Sequence, residues 1–342
     1  MNTVGPIDAF KLLEINMKAG LVSYLTGSPG ISKSATVLQL FKKYNLYPIV
    51  ISLAACEPQD VQGYAYIDPI SKKSKYMPFE MFPIEGDTIP KDYQGFGIVL
   101  EELAGADAAT QKAAYRLLLD RMVGDTPLHK NTALIATGNL ITDNALVEDM
   151  STALQSRMCH IEMNLPLLDW IKWANENNIN PKIISFLEFK PSNLSTFNPD
   201  NDHTTYACGR TWEFVHKQLK IIPNIENDPL AVPLLTGTVG AGAAREFLSY
   251  LKMFHQIPKI TEIITYPTTA ILPNIPGIQY VLSTTLGEHC NEDNISKLIQ
   301  YISRMAIEFQ VVTLRGILVQ NPELITCDEI LQWQESSSTQ LY

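Results

Sequence analysis

The segment G-S-P-G-I-S-K-S, Gly27 to Ser34, constrains this chain more than any other stretch of its 342 residues. Ahead of it, 21–26 reads as a short buried strand. Behind it, 34–44 carries Val37, Leu38 and Phe41 at helical spacing. A strand, a glycine-bearing turn and a helix N-terminus can together surround a phosphate chain with backbone N–H groups. Gly27, Ser28, Pro29, Gly30, Ile31, Ser32, Lys33, Ser34 and Ala35 are therefore expected to hold the phosphates of a nucleotide, ATP. Lys33 would reach the β- and γ-phosphates, and Ser34 would place its hydroxyl on Mg2+. The common form of this loop, G-x-x-x-x-G-K-[ST], has glycine where Ser32 stands, so a Cβ there is expected to narrow the cradle or alter the loop. The alternative, a chance turn with a surface lysine, is disfavoured by the strand and helix on either side.

Further short apolar runs at 48–53, 97–100, 133–137 and 160–163 are separated by helix-like segments such as 108–122. Such alternation predicts an α/β core over residues 1–165, a five-stranded parallel sheet flanked by helices. Between the second and third strands, 57–94 is rich in Pro, Gly, Tyr and charge and longer than a usual connection. It is expected to hold small inserted elements suited to partner contact. After Pro166 the pattern turns helical, in L-L-D-W-I-K-W-A-N-E-N-N and T-W-E-F-V-H-K-Q-L-K, which predicts a mainly helical second domain over 166–342.

Two more strand ends carry candidate chemistry. I-V-L-E-E-L, Ile98 to Leu103, delivers adjacent carboxylates at the carboxyl edge where open α/β sheets bind ligands. Neighbouring residues of a strand point to opposite sides. Glu101 is therefore expected to hold Mg2+ through a water and Glu102 to activate the attacking water. Two solvated carboxylates are the plainer alternative. T-A-L-I-A-T-G-N ends at Asn139, whose amide can orient a water or touch the γ-phosphate without adding charge. Taken alone, it is an ordinary Asn after Gly in a turn.

Other classes are set aside on composition and spacing. A formal charge of −10 argues against non-specific wrapping of nucleic acid, which needs excess Lys and Arg. Five cysteines, widely spaced and without a C-x-x-C pair, suggest neither a disulfide framework nor a zinc site, and a reducing cytoplasm fits them. His203 stands alone in D-N-D-H-T-T and is not expected to bind metal. The run G-T-V-G-A-G-A-A-R-E-F, Gly237 to Phe247, lacks a preceding strand, so close helix packing is expected there rather than a second nucleotide loop. Neither an export signal nor 18 consecutive apolar residues is found, so membrane insertion is not expected.

Taken together, G-S-P-G-I-S-K-S, V-L-E-E-L, Q-K-A-A-Y-R-L-L-L-D-R, I-A-T-G-N, A-L-Q-S-R-M-C-H, G-R-T-W-E, G-T-V-G-A-G-A-A-R-E-F and R-M-A-I-E-F-Q-V resemble the MoxR family of AAA+ ATPases over nearly the whole chain. The nearest group within it is found in bacteria and phages beside von Willebrand factor A (VWA) proteins. The resemblance implies that Asn139 is sensor 1, Arg157 an arginine finger offered to a neighbouring subunit, and Arg210 sensor 2 on a helical lid. It further implies a homo-oligomeric, hexameric ring that hydrolyses ATP with Mg2+ to remodel a protein partner, a VWA protein among the candidates. Guanidinium groups suit these places because they stay charged and grip phosphate oxygens with paired donors. Read without the family, Arg157 is a surface ion-pair residue and Arg210 a helix residue facing Glu213. A nucleic-acid motor and an ATP-sensing scaffold with little turnover remain as alternative functions.

Overall fold

The computed structural model describes residues 2–143, 150–200, 205–254 and 258–337. His203 lies outside them. The chain forms two compact units. The first comprises Met1–Asn177, Ser195–His203 and Cys208–Thr211; the second comprises Asn178–Leu194, Thr204–Ala207 and Trp212–Tyr342.

In the first unit, α1 (Pro6–Lys18) leads to β1 (Ser23–Thr26), α2 (Lys33–Lys43) and β2 (Leu46–Ser52). After the inserted segment come β3 (Gly95–Glu101), α3 (Ala108–Leu119), β4 (Thr132–Gly138) and β5 (Cys159–Glu162). The five strands make one parallel sheet in the order β2-β3-β4-β1-β5. This is the predicted fold class, and the strands fall within a few residues of the apolar runs that announced them. Parallel strands need crossover connections, and helices supply them. Local chemistry sets the helix ends: Pro6 pre-orders the first turn of α1, and the Asp107 carboxylate accepts the Thr110 N–H at 2.6 Å to cap α3.

Both faces of the central strands β1, β3 and β4 are covered, which is why they read as continuous apolar runs rather than alternating ones, whereas the edge strand β2 leaves Tyr47 and Val50 exposed. Leu25, Val99, Ile135 and Ile161 pack with Ala9 and Leu13 of α1 and Val37, Leu40 and Phe41 of α2. Tyr24, Ile98, Leu100, Leu134 and Ala136 pack on the other face with Ala113, Ala114, Leu117 and Leu118 of α3. Fully burying one such Leu or Ile stabilises by roughly 1.5–3 kcal/mol, so the two layers hold the strand ends rigidly in register.

The insertion between β2 and β3 contains a short helix, Pro58–Gln62, and an antiparallel hairpin, Tyr64–Ile67 against Ser74–Met77. Asp68 organises the hairpin tip. Its carboxylate accepts from the Ile70 N–H and the Ser71 hydroxyl, each at 2.9 Å, and pairs with Lys75.

The second unit is helical among its described residues. Phe186, Trp212, Phe247 and Tyr250 form an aromatic nucleus in which Phe186 meets Phe247 at 5.1 Å and Trp212 at 5.5 Å between ring centres. A second cluster joins Leu282, Leu286, Leu298, Tyr301, Ile302 and Ile317. The glycine-rich run forms two helices, Ala231–Val239 and Ala241–Phe254, and no strand. The two helices pack on each other, with Ala243 and Ala244 buried, so the run is a packing feature, although not through every glycine. Nothing lies within 4 Å of where a Cβ would stand on Gly237 or Gly242, and Gly240 serves instead to turn the chain at φ 83°. Close approach occurs at Gly287 in Pro276–His289, where an added Cβ would stand 3.2 Å from the Gly316 carbonyl carbon in Ile307–Gln320.

Candidate functional site

The sheet order decides which loops can meet. Because β1 lies beside β4, with Thr26 opposite Gly138, the loop after β1 and the residue after β4 emerge side by side. Strand β3 flanks β4 on its other side and brings Glu101 and Glu102 to the same edge. Three segments distant in sequence thus open at one carboxyl edge, the place where α/β sheets present ligand sites.

Lys33 opens α2 and is the hub of this edge. Its ammonium donates to the Gly27 carbonyl at 2.6 Å, the Ser28 carbonyl at 3.0 Å and Asn139 Oδ1 at 3.0 Å. Burial pushes its pKa down to about 8. The neighbouring carboxylates of Asp143, Glu101 and Glu102 oppose this shift, and Arg210 adds to it. A cation held so near neutrality is drawn to any anion that compensates its lost hydration.

Around it the loop is tightly built. Gly30, at φ 78°, lies so close to Cys208 that an added Cβ would collide with the thiol. A Cβ on Gly27 would meet the Met163 carbonyl and the Ile31 side chain. Both glycines therefore serve backbone approach. Ile31 sends its side chain into the core, leaving its backbone for a ligand, while Ala35 is exposed in the first turn of α2. Gly30→Ala is expected to cost about 2–4 kcal/mol of unfolding free energy, from the left-handed backbone and the buried clash together. Denaturant titration of the two proteins measures it.

Ser32 adopts a left-handed conformation, φ 69° and ψ 28°, with an exposed side chain that caps nothing. Its carbonyl still accepts the Thr36 N–H at 3.0 Å, so α2 starts normally. The Cβ is accommodated by a backbone shape that suits glycine, at a cost of roughly 1 kcal/mol. Ser32→Gly removes that cost but frees the unfolded chain. Thermal unfolding should show a gain no larger than about 1 kcal/mol.

The two glutamates face different partners. Glu101 accepts a short hydrogen bond from the Ser34 hydroxyl. Glu102 sits in the left-handed region at φ 56° and ψ 40°, exposed, with Ser52 Oγ at 3.4 Å from its carboxylate. A hydroxyl and a carboxylate side by side are hard oxygen donors of the kind Mg2+ takes beside retained waters, so Ser34 and Glu101 fit that ion.

The arginines are placed differently from one another. Arg210 is exposed at the start of Gly209–Ile221, and its backbone N–H donates to the Gly30 carbonyl at 3.3 Å, which ties that turn to the loop after β1. Arg157 follows the short helix Thr152–Gln155. Its guanidinium lies 5.0 Å from the centre of the Tyr115 ring and donates to the Ala153 carbonyl. Among the described residues these are its partners, and the Lys33 cluster is not among them. Sequence reasoning passed over Asp143, Ser52 and Cys208. A carboxylate four residues beyond Asn139 was a usable signal for Asp143; nothing in the local pattern marks the other two.

No family model matches the sequence, and no curated protein matches it closely enough to count as a relative. Solved structures similar to it include a proposed ATPase from Cytophaga hutchinsonii ATCC 33406, at 13% identity over 92% of this chain and 81% of that one, with a TM-score of 0.37. NtrX from Brucella abortus in complex with ADP is similar at 13% identity over 98% of this chain and 69% of that one, with a TM-score of 0.40. Likeness at this level adds nothing to what the sheet order and the loop carry by themselves.

Proposed function

We propose that this chain is a Mg2+-dependent ATPase of the AAA+ type, with Gly27–Ala35 as the phosphate loop and Glu102 as the residue that activates water. The observation that carries this reading is the meeting of Lys33, Asn139, Ser34 and Glu101 at one sheet edge, each within hydrogen-bond reach of another. Lys33 and the backbone N–H groups at the head of α2 would bind the phosphate chain. Ser34 and Glu101 would hold Mg2+, which, when bound, neutralises charge on the phosphates. Asn139 would orient the γ-phosphate or the water, and Arg210, tethered to Gly30, would approach the phosphates from the other side of the loop.

Arg157 completes the reading as a group offered to a neighbouring copy in a ring, hexameric by resemblance. Its contacts with Tyr115 and Ala153 keep it away from the loop of its own chain. The work done by hydrolysis is remodelling of a protein partner, a VWA protein being the candidate drawn from the MoxR resemblance, and the setting is cytoplasmic. No helix among the described residues is long and apolar enough to cross a membrane.

Mixing inactive Arg157→Ala and Lys33→Ala subunits tests the shared site. Some interfaces in a mixed ring join an intact loop to an intact arginine, so ATP hydrolysis should return to a sizeable fraction of wild type. Activity that stays at the level of either variant in every mixture rules out sharing. A wild-type rate no greater than that of Glu102→Gln would favour an ATP-sensing scaffold instead.

A further inference from the structure

One acidic group at the phosphate loop comes from outside the motifs. Asp143 closes the single turn Ile141–Asp143 just beyond β4 and is only 9% exposed. Its Oδ1 lies 3.5 Å from the Ser28 hydroxyl, a weak bond, and its Oδ2 is buried with no hydrogen-bond partner among the described residues. Packing does not call for this: an apolar side chain of similar size would leave no polar atom to satisfy at a buried position. The charged groups facing Lys33 are Asp143, Arg210, Glu101 and Glu102, and Asp143 acts on it more strongly than the other three. Glu101 is engaged by Ser34 and Glu102 lies near Ser52, whereas one oxygen of the Asp143 carboxylate has no hydrogen-bond partner among the described residues.

We propose that Asp143 is a charge-selective element of the phosphate loop, a fixed carboxylate that opposes bare polyphosphate and thereby makes retention of ATP depend on its Mg2+ complex. The inference rests on the nucleotide-binding reading above. Like charges repel more strongly in a half-buried loop than in water, and the penalty grows with the charge of the phosphate chain. Mg2+ removes part of that charge, so its complex meets less opposition. Asp143 would thus discriminate against the metal-free nucleotide, on which in-line attack has no cation to assist it.

Calorimetric titration of the full chain with ATP, ADP and adenosine, each with Mg2+ and with EDTA, tests this. In EDTA, Asp143→Asn should bind ATP about tenfold more tightly than wild type, a change of about 1.4 kcal/mol. The gain should be smaller for ADP, absent for adenosine, and reduced for ATP when Mg2+ is present. Asp143→Glu should stay near wild type. Asp143→Ser, which removes the charge with a different shape, should repeat the gain and replaces the Asn variant should that one fail to fold. An equal change for all three ligands overturns the inference, because a structural role would produce it. Weaker ATP binding by the uncharged variants overturns it too, since the carboxylate would then serve to keep Lys33 charged. If folded wild type binds neither ATP nor ADP, the nucleotide reading falls and the inference with it; if wild type binds ATP and both uncharged variants match it, the inference alone falls.

Discussion

Glu102→Gln is expected to bind ATP as wild type does and to hydrolyse it about 10²–10⁴-fold more slowly, the usual contribution of a positioned general base. The amide keeps the size of the side chain and one acceptor oxygen, and loses the negative charge and the ability to take a proton. Single-turnover release of phosphate, set beside equilibrium binding of ATP, separates the two effects. The left-handed backbone at Glu102 is what directs the carboxylate away from Ser34 and toward Ser52. The result is therefore expected to be specific to this position. Glu101→Gln should instead weaken Mg2+-dependent binding, because Glu101 is the carboxylate that meets the Ser34 hydroxyl. Undiminished hydrolysis by Glu102→Gln would remove its assigned role.

Lys33→Met should lower ATP affinity by about 3 kcal/mol, roughly 150-fold, the scale of losing one partner of a part-buried charge pair. A second effect follows from the same burial. The lysine pKa falls from an unfolded value near 10.5 to about 8 in the folded chain. At pH below 8 both states hold the proton and the folded state bears the full cost of burying the charge. Between pH 8 and 10.5 the folded state releases the proton while the unfolded chain keeps it, so the unfolded state binds more protons and stability rises with pH. Without nucleotide, the stability of wild type relative to Lys33→Met should thus increase by about 3 kcal/mol over that window. Denaturant unfolding of both proteins at pH 7.5 and pH 10.5 measures the difference between them, which cancels the other lysines and tyrosines. A constant difference would place Lys33 in a wetter setting than its three acceptors suggest.

The two effects bear on why a chain keeps a costly residue. Three acceptors and a surrounding of carboxylates hold the ammonium where its hydration is poor. Burial disfavours the charged ammonium of Lys33, and that cost is relieved by an anion. Strain at Ser32 and Glu102, both left-handed, is a further local cost at the same edge.

Much of the core was legible in the chain itself. Strands buried on both faces leave continuous apolar runs, and a strand, the turn G-S-P-G and a helical repeat announce the β1–α2 connection. The five runs, the α2 pattern and the paired glutamates all lie close to where local reasoning put them. The helix packing expected of the run Gly237–Phe247 is carried by Ala243 and Ala244 rather than by Gly237 and Gly242, because a small residue signals room for approach without saying that anything approaches. The close pair, Gly287 and Gly316, carried no local mark. Arg157 was named by its motif, but its seat over Tyr115 depends on how α3 lies against the turn after Thr152–Gln155, which no periodicity reports.

What the sequence by itself determined is the inventory: which segments become strands and helices, that a helix opens on Lys33 and Ser34, and that strands lead to Glu101, Glu102 and Asn139. Backbone preference, side-chain periodicity and the shape of glycine act over a few residues and can be read there. Only the tertiary structure decided that β4 lies between β1 and β3, and hence that Asn139 reaches Lys33 while Glu101 meets Ser34. It alone set Cys208 against Gly30 and buried Asp143 beside Ser28. Strand order is fixed by which faces bury together and which crossovers close, a property of the whole core. Charges brought together by that closure have energies that depend on burial and distance, neither of which a linear chain contains.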